Sequence, residues 1–214
     1  MKLYGNLASP YVARVVLFAR LQGVEIAAEP PEGGIKSPSY LALNPIGKMP
    51  VLVDGEAAIA ESEVICEYLE DLHPGRALPG TPSDRARARL VSRVFDLYAG
   101  PHTGTLFRNL NPATRDAQAV EAAKQGLAAS LGHVEHFMAA PYAAGAQASL
   151  ADCTLLPAFA ILKKTAFPAL AVDDPTLGGG RLGAWWAFVA GDAVLGAFLR
   201  EYDAAVDAFL RARA

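Results

Sequence analysis

The chain has 214 residues, of which 52% are hydrophobic and 19% are charged, and its formal net charge is -3. This composition excludes a disordered chain, because it supplies enough apolar side chains to bury a full core. The acidic balance argues against a nucleic-acid binder, which normally carries a basic stripe on one face. The alternating arginines between residues 85 and 93 therefore predict a solvated helix face.

The cysteines and the apolar segments favour a reducing compartment. Cys66 and Cys153 lie far apart in apolar segments, without the paired spacing of a zinc site or a redox dithiol. The first residues run into a strand-like segment rather than a signal peptide. The apolar stretches are interrupted by charge or are too short to cross a membrane. We therefore expect a cytoplasmic protein with no metal, no membrane partner and no nucleic-acid partner.

Residues 1–77 alternate strand and helix signals in the order βαβ, α, ββα. The predicted elements are a strand at Lys2–Tyr4, a helix over Val12–Leu21, a strand over Val24–Ala28, a short helix between Ser37 and Asn44, strands Val51–Val53 and Ala57–Ala60, and a helix from Glu61 to His73. Asp54-Gly55 suits the tight turn between the last two strands. This order predicts a small α/β domain over residues 1–77.

No strand signal remains after residue 83. Residues 78–84 predict a linker, and residues 85–214 predict an all-helical domain. The predicted helices are a long one capped by Ser83-Asp84 that reaches Leu106, a second long one that ends near Met138, one opened by a capping box at Ser149–Asp152, and two over Leu182–Ala190 and Ala193–Arg211.

Ser9 is the first candidate for chemistry, because it lies in the turn from the first strand to the first helix. A helix N-terminus offers free N–H groups and the positive end of the helix dipole, which together favour an anion. The Ser9 hydroxyl could donate to a bound thiolate, and Pro10 suits the first helical position. The alternative is that Ser9 only caps the helix.

Two further motifs suggest a ligand site. Pro50 stands directly before a strand, where it removes a ladder donor. A cis Met49–Pro50 bond would explain this position and would turn the Met49 backbone toward a ligand, although a plain turn is the alternative. At the start of the third helix, Ser62 and the free N–H groups suit a carboxylate, while Glu61 suits an ammonium group. An ordinary N-cap without a ligand is again the alternative.

These motifs, in this order, resemble those of the cytosolic glutathione transferases. The first 80 or so residues look like the N-terminal domain of that family, and Ser149–Asp152 resembles its capping box. Ser9-Pro10-Tyr11 resembles the serine-type active site of the tau class. The omega class looks similar around residues 48–52 and 61–62 but carries a cysteine where this chain has Ser9. The resemblance implies a thioredoxin-like N-terminal domain followed by an all-helical bundle.

The resemblance also implies a role for each matching residue toward glutathione, the co-substrate. Ser9 would bind the sulfur, and the Met49 backbone, with cis-Pro50, would pair with the cysteinyl residue. Glutathione's two ends would be held by Glu61 and Ser62 at the γ-glutamyl group and by Lys36 and Lys48 at the glycine carboxylate. Tyr4 is the rival activator of the sulfur, since other classes use a tyrosine near the first strand.

The implied activity is a glutathione transferase in which the thiolate attacks an electrophilic, largely apolar second substrate. Candidate residues of the second-substrate pocket are Tyr11, Tyr98, His102 and Phe107. The family also implies a homodimer and a role in detoxification. The alternatives are a glutathione-dependent isomerase, dehalogenase or ether-cleaving enzyme on the same fold, and a non-catalytic interaction module like the stringent starvation proteins.

Overall fold

The N-terminal part of the chain is organised around one mixed four-stranded sheet. The computed structural model describes residues 1–212. In chain order the elements are β1 (Lys2–Tyr4), α1 (Pro10–Leu21), β2 (Ala28–Glu29), α2 (Pro38–Leu43), β3 (Val51–Asp54), β4 (Ala57–Ala60) and α3 (Ser62–Leu72). The strands lie in the order β2-β1-β3-β4, with β1 parallel to β2 and antiparallel to β3. This is the thioredoxin-like arrangement expected from the sequence.

Helices make up the rest of the described chain. They are α4 (Pro82–Val94), α5 (Gly100–Arg108), α6 (Ala117–Phe137), α7 (Leu150–Lys164), α8 (Ala166–Leu170), α9 (Arg181–Gly191) and α10 (Leu195–Arg211), with a π-helical turn at Phe95–Ala99 between α4 and α5. The predicted all-helical second domain is therefore confirmed. The short helix α8 was not predicted.

The second strand is shorter than predicted and lies further along the chain. The prediction covered Val24–Ala28, whereas β2 is Ala28–Glu29. The Val24 N–H instead bonds to the Ala19 carbonyl at 2.9 Å, beside Gly23 with φ +76°. This arrangement satisfies a carbonyl at the end of α1, so Val24 belongs to the helix cap rather than to the sheet.

The long helix after the linker also differs from its prediction. Thr81, rather than Ser83-Asp84, is the N-cap, and Thr81 and Asp84 form a reciprocal capping box. The helical path runs without a gap to Arg108, but its hydrogen-bond pattern changes, because Gly100 N–H bonds to the Phe95 carbonyl five residues earlier. Pro101 follows immediately and has no N–H for a regular helical bond. The π turn absorbs this interruption.

The turn that carries Ser9 is packed between the two domains. Helix α1 packs against α3 on one side and against α7 on the other. The Tyr202 hydroxyl of α10 donates to the Ala8 carbonyl at 3.1 Å, and the Tyr202 side chain is fully buried. The residue before Ser9 is thus held by the far end of the chain.

The predicted capping box at the start of α7 is confirmed. Ser149 and Asp152 bond reciprocally, and the buried Asp152 carboxylate also accepts the Ala143 N–H at 2.9 Å and the Trp185 indole N–H at 2.8 Å. One carboxylate therefore joins the start of α7 to α9. Within residues 1–212, no single helix has the length and hydropathy of a membrane span; only α9 and α10 taken together reach it, across a 92° bend.

Candidate functional site

Ser9 is the N-cap residue of α1, but its side chain does not cap the helix. Its backbone has φ -74° and ψ 126°, and its carbonyl accepts the Ala13 N–H at 2.9 Å. The hydroxyl forms no capping hydrogen bond, and the residue is only partly buried. Among the described residues the Ser9 hydroxyl is therefore unpaired and accessible, which disfavours the simple helix-cap alternative.

Two neighbouring cavities meet at the first turn of α1. The smaller, of about 320 Å³, lies between the Ser9 turn and the helical domain, and its walls are mainly apolar. The larger, of about 790 Å³, lies between the Met49–Pro50 turn, the start of α3 and the π turn. Tyr11, Arg14 and Met49 line both cavities, and Ser9 lines the smaller one. A molecule in the larger cavity can therefore present one end to Ser9 and to the apolar space.

The larger cavity is lined by charged residues of both signs, of which Lys48 and Glu61 are unpaired in the described structure. Lys48 is exposed at the loop end, and Glu61 is exposed at the start of α3. Neither forms an ion pair with any described residue. Ser62, the buried first residue of α3, lies beside Glu61 and lines the same cavity. Lys36 lies outside the lining, with its ammonium group over Gly47, and it has no described carboxylate partner.

The Met49–Pro50 bond is cis, as predicted. The turn before it is held by two side chains: the Tyr40 hydroxyl and the Asn44 amide both donate to the Lys48 carbonyl, at 2.7 and 2.8 Å. Met49, which lines the cavity, therefore follows a carbonyl that two side chains hold in place.

Glu61 has a backbone conformation that favours glycine. Its φ is +67° and its ψ is 118°, and it precedes the first turn of α3. Strained conformations of this kind cost about 1–3 kcal/mol and cluster at ligand sites. The conformation directs Glu61 and Ser62 to the same cavity, so the strain supports a binding role for this corner.

Arg14 is a site residue that the sequence did not reveal. Its side chain is 4% exposed, and its guanidinium donates to the Ser62 hydroxyl at 3.0 Å and to both Asp96 oxygens at 2.8 and 2.6 Å. Burial lowers the pKa of Arg14, but the charge and hydrogen bonds of Asp96 outweigh this and raise it. The buried Nε has no hydrogen-bond partner among the described residues. An arginine within the apolar run of α1 was the only local signal.

The π turn places neighbouring residues at different cavities. Phe95 lines the smaller cavity, while Asp96 and Leu97 line the larger one. Asp96 reaches Arg14 across the domain boundary, so this turn and α1 together form the wall between the two cavities.

Two of the four residues predicted for the second-substrate pocket line the smaller cavity. Tyr11 and Phe107 do so, together with Thr103 and Ile161.

Tyr98 and His102 do not join the lining of either cavity, which corrects their predicted placement. The Tyr98 ring meets His133 of α6 edge to face at 6.4 Å, and the His102 ring lies over Gly126 of α6. Both side chains therefore contact α6 rather than the cavities.

The rival activator Tyr4 lies elsewhere. Its ring meets Tyr40 edge to face at 6.3 Å, and the Lys2 ammonium lies 4.8 Å from its centroid. It lines neither of the two cavities and borders a separate surface depression instead. The structure thus brings Ser9, and not Tyr4, to the junction.

Neither cysteine contributes to the site. Cys66 and Cys153 are free and fully buried, and burial raises the pKa of both thiols. Residues 1–212 contain no group of three or more histidine, cysteine or acidic side chains arranged to hold a metal ion.

Comparison with known proteins identifies the family. Residues 3–77 match the glutathione S-transferase N-terminal domain, and residues 97–186 match the C-terminal domain. Glutathione S-transferase 3 of Zea mays is 32% identical over 203 residues, which cover 89% of each chain. Glutathione S-transferase U8 of Arabidopsis thaliana is 39% identical over 45% of each chain.

A solved structure agrees at the level of the fold. The theta class glutathione S-transferase of Xanthomonas axonopodis pv. citri, with glutathione bound, superposes with a TM-score of 0.77 and 24% identity, over 92% of this chain and 96% of that one. The relatives include members of both the phi and the tau class, so the resemblance to tau and omega is not confirmed at class level. Neither an interaction module nor the other reaction types on this fold are favoured. The chain belongs to the glutathione S-transferase family and is a glutathione transferase.

Proposed function

We propose that the Ser9 hydroxyl donates a hydrogen bond to the glutathione sulfur and holds it as a thiolate for attack on an apolar electrophile. The observation that carries this proposal is the unpaired Ser9 hydroxyl at the N-terminus of α1, beside the junction of the two cavities.

The expected energies support this role. A free thiol with a pKa of about 8.5 is only a few per cent thiolate at neutral pH. Lowering that pKa by about two pH units needs about 2.7 kcal/mol of preferential binding to the anion. A hydroxyl that donates to a charged acceptor contributes about 1.5–3 kcal/mol, and the end of a helix adds about 0.3–1 kcal/mol. The Ser9 hydroxyl and the N-terminus of α1 together can therefore account for the free energy needed to lower the thiol pKa by about two pH units.

The larger cavity suits the remainder of the tripeptide. Glu61 and Ser62 would bind the ammonium and carboxylate groups of the γ-glutamyl residue, and the Met49 backbone, with cis-Pro50, would pair with the cysteinyl residue. Lys48, with Lys36 nearby, would face the glycine carboxylate. The unpaired charges support this orientation, because each would gain an opposite charge only when glutathione binds.

The smaller cavity suits an uncharged, largely apolar second substrate. Its walls include Phe107, Ile161 and Leu162, and its one charged lining residue, Arg14, is already paired with Asp96. Such a pocket fits detoxification of electrophiles. Within the family we propose a serine-type, tau-like enzyme on the basis of Ser9-Pro10-Tyr11. The buried, reduced cysteines are consistent with a cytoplasmic location.

We also propose a homodimer, with the N-terminal domain of one subunit against the helical domain of the other. Val64 of α3 and Leu97 of the π turn are 54% and 53% exposed beside the larger cavity, and a second subunit would cover them. Sedimentation at micromolar concentration should give twice the chain mass of 22.5 kDa. A monomer mass would contradict this part of the proposal.

The function is tested by Ser9→Ala, with Ser83→Ala as the matched control. Ser83 is the exposed second residue of α4 and lies outside both cavities. Both variants should be retained on immobilised glutathione, because the remaining contacts still hold the tripeptide. Conjugation of a chloronitroarene at neutral pH should fall by about tenfold or more in Ser9→Ala only, with a smaller loss at higher pH. An unchanged rate in Ser9→Ala would refute the role of Ser9.

A further inference from the structure

The smaller cavity contains a second hydroxyl without a hydrogen-bond partner. Among its polar lining groups, Thr103 and Thr154 donate to helix carbonyls at 2.9 and 3.0 Å, and the Asn6 side-chain oxygen Oδ1 accepts the Ala8 N–H at 2.9 Å. The hydroxyls of Ser9 and Tyr11 form no hydrogen bond with any described residue. Ser9 is assigned above, so Tyr11 Oη is the hydroxyl that still needs a role.

Tyr11 is placed where the two substrates would meet. It is the second residue of α1, two positions after Ser9, and it lines both cavities. Its ring centroid lies 5.5 Å from the Arg14 guanidinium carbon, and Arg14 is itself fixed by Asp96. The ring therefore has a defined neighbour on its buried side, although 46% of the residue is exposed.

The charges around Tyr11 keep its proton in place. Loss of solvation raises the pKa of Tyr11, and the negative charges of Asp96 and Glu61 raise it further, while Arg14 opposes them. The hydroxyl therefore keeps its proton at neutral pH. It can donate a hydrogen bond, and it adds no negative charge beside the thiolate.

We propose that Tyr11 is a second catalytic residue, whose hydroxyl donates to the acceptor atom that gains negative charge when the glutathione thiolate attacks. This inference rests on the proposed function and adds a preference among second substrates according to the group that they release. Acceptors that release an oxyanion should depend on the Tyr11 hydroxyl much more strongly than acceptors that release a stable halide. The Ser9 hydroxyl would donate to the glutathione sulfur, and the Tyr11 hydroxyl would donate to the leaving atom of the acceptor.

An organic hydroperoxide shows the required step. The thiolate attacks the terminal peroxide oxygen, a sulfur–oxygen bond forms, and the oxygen–oxygen bond breaks with its electron pair on the alkoxide. Tyr11 Oη–H gives its proton to the alkoxide and recovers one from water. A second glutathione thiol then attacks the sulfenic acid, which yields the disulfide and water. The sulfur is oxidised, the peroxide is reduced, and general acid catalysis of this kind contributes about 10²–10⁴-fold.

The experiment compares Tyr11→Phe with wild type on two acceptors, cumene hydroperoxide and benzyl chloride. Tyr68→Phe is the matched control, since Tyr68 lies on α3 outside both cavities and its hydroxyl bonds to Asp54. Tyr11→Phe keeps the ring beside Arg14 and breaks no hydrogen bond of the fold, so the variant should fold normally. We expect hydroperoxide reduction to fall by about a hundredfold or more. The loss of benzyl chloride turnover should be at least tenfold smaller than the loss of hydroperoxide reduction, and the pKa of the bound thiol should stay within error of wild type.

Three results would overturn the inference. Equal losses on both acceptors, with a raised pKa of the bound thiol, would mean that Tyr11 acts on the sulfur. Unchanged rates on both acceptors would mean that the Tyr11 hydroxyl has no role in catalysis. A similar selective loss in Tyr68→Phe would show that the effect is not specific to the site. A wild-type protein that bound no glutathione would instead refute the proposed function, and the inference with it.

Discussion

The Arg14–Asp96 pair allows a quantitative test of how the two domains are joined. Asp96→Ala removes the only carboxylate that contacts Arg14 in the described structure and leaves a guanidinium whose side chain is 4% exposed. Breaking a buried pair by removing one partner costs about 3–5 kcal/mol, because the remaining charge stays desolvated. Asp96 is 18% exposed, so we expect the lower end, about 3 kcal/mol. For a chain of this size that lowers Tm by about 6–12 °C.

The assay is urea unfolding of wild type and variants at one protein concentration, since subunit association would change the apparent stability. Asp71→Ala is the matched control, because Asp71 is exposed on α3 and changes at such sites stay within about 0.5 kcal/mol. The double variant Arg14→Met/Asp96→Leu should be more stable than Asp96→Ala, since it leaves no buried charge unpaired. A loss below about 1 kcal/mol in Asp96→Ala, or no recovery in the double variant, would refute the reasoning.

Three further outcomes follow from the site and the fold. Glu61→Ala should weaken glutathione binding by about 1.5–3 kcal/mol in calorimetry, because a charge-assisted hydrogen bond is lost, and unchanged affinity would mean that the site is misplaced. Asp152→Ala should lower the free energy of unfolding by about 3–5 kcal/mol, because several buried donors lose their acceptor, and a loss under about 1 kcal/mol in denaturant unfolding would contradict this. Glutathione-dependent reduction of a small disulfide should be negligible, since both thiols are buried, and a robust activity that disappears on mutating Cys66 or Cys153 would be the opposite result.

The features that local signals encode were predictable from the sequence. The capping box at Ser149–Asp152 depends on residues three apart. A proline placed where a strand begins is compatible with a cis bond or a plain turn, and the family resemblance favours the cis bond that the structure has. The turn at Ser9 lies between a short strand and an apolar helix. For each of these features, the residues that determine the structure are neighbours in the chain.

The features that depend on distant residues were not predictable in the same way. Arg14 and Asp96 are 82 positions apart, and no pattern along α1 indicates the partner. The π turn changes the helical register between Phe95 and Gly100, so the side chains of one continuous pattern point at different neighbours. The family resemblance predicts Tyr98 and His102 in the pocket, whereas both side chains pack against α6.

The most direct test of the central claim is an ultraviolet titration of enzyme-bound glutathione thiolate in wild type and Ser9→Ala. If the Ser9 hydroxyl stabilises the thiolate, the bound thiol of wild type should titrate about two pH units below the value of about 8.5 for a free thiol. In Ser9→Ala that pKa should rise by about one to two pH units, while glutathione affinity stays nearly intact. If Ser9→Ala instead titrates like wild type and keeps its conjugation rate, Ser9 contributes only its backbone to the start of α1, and another group activates the sulfur.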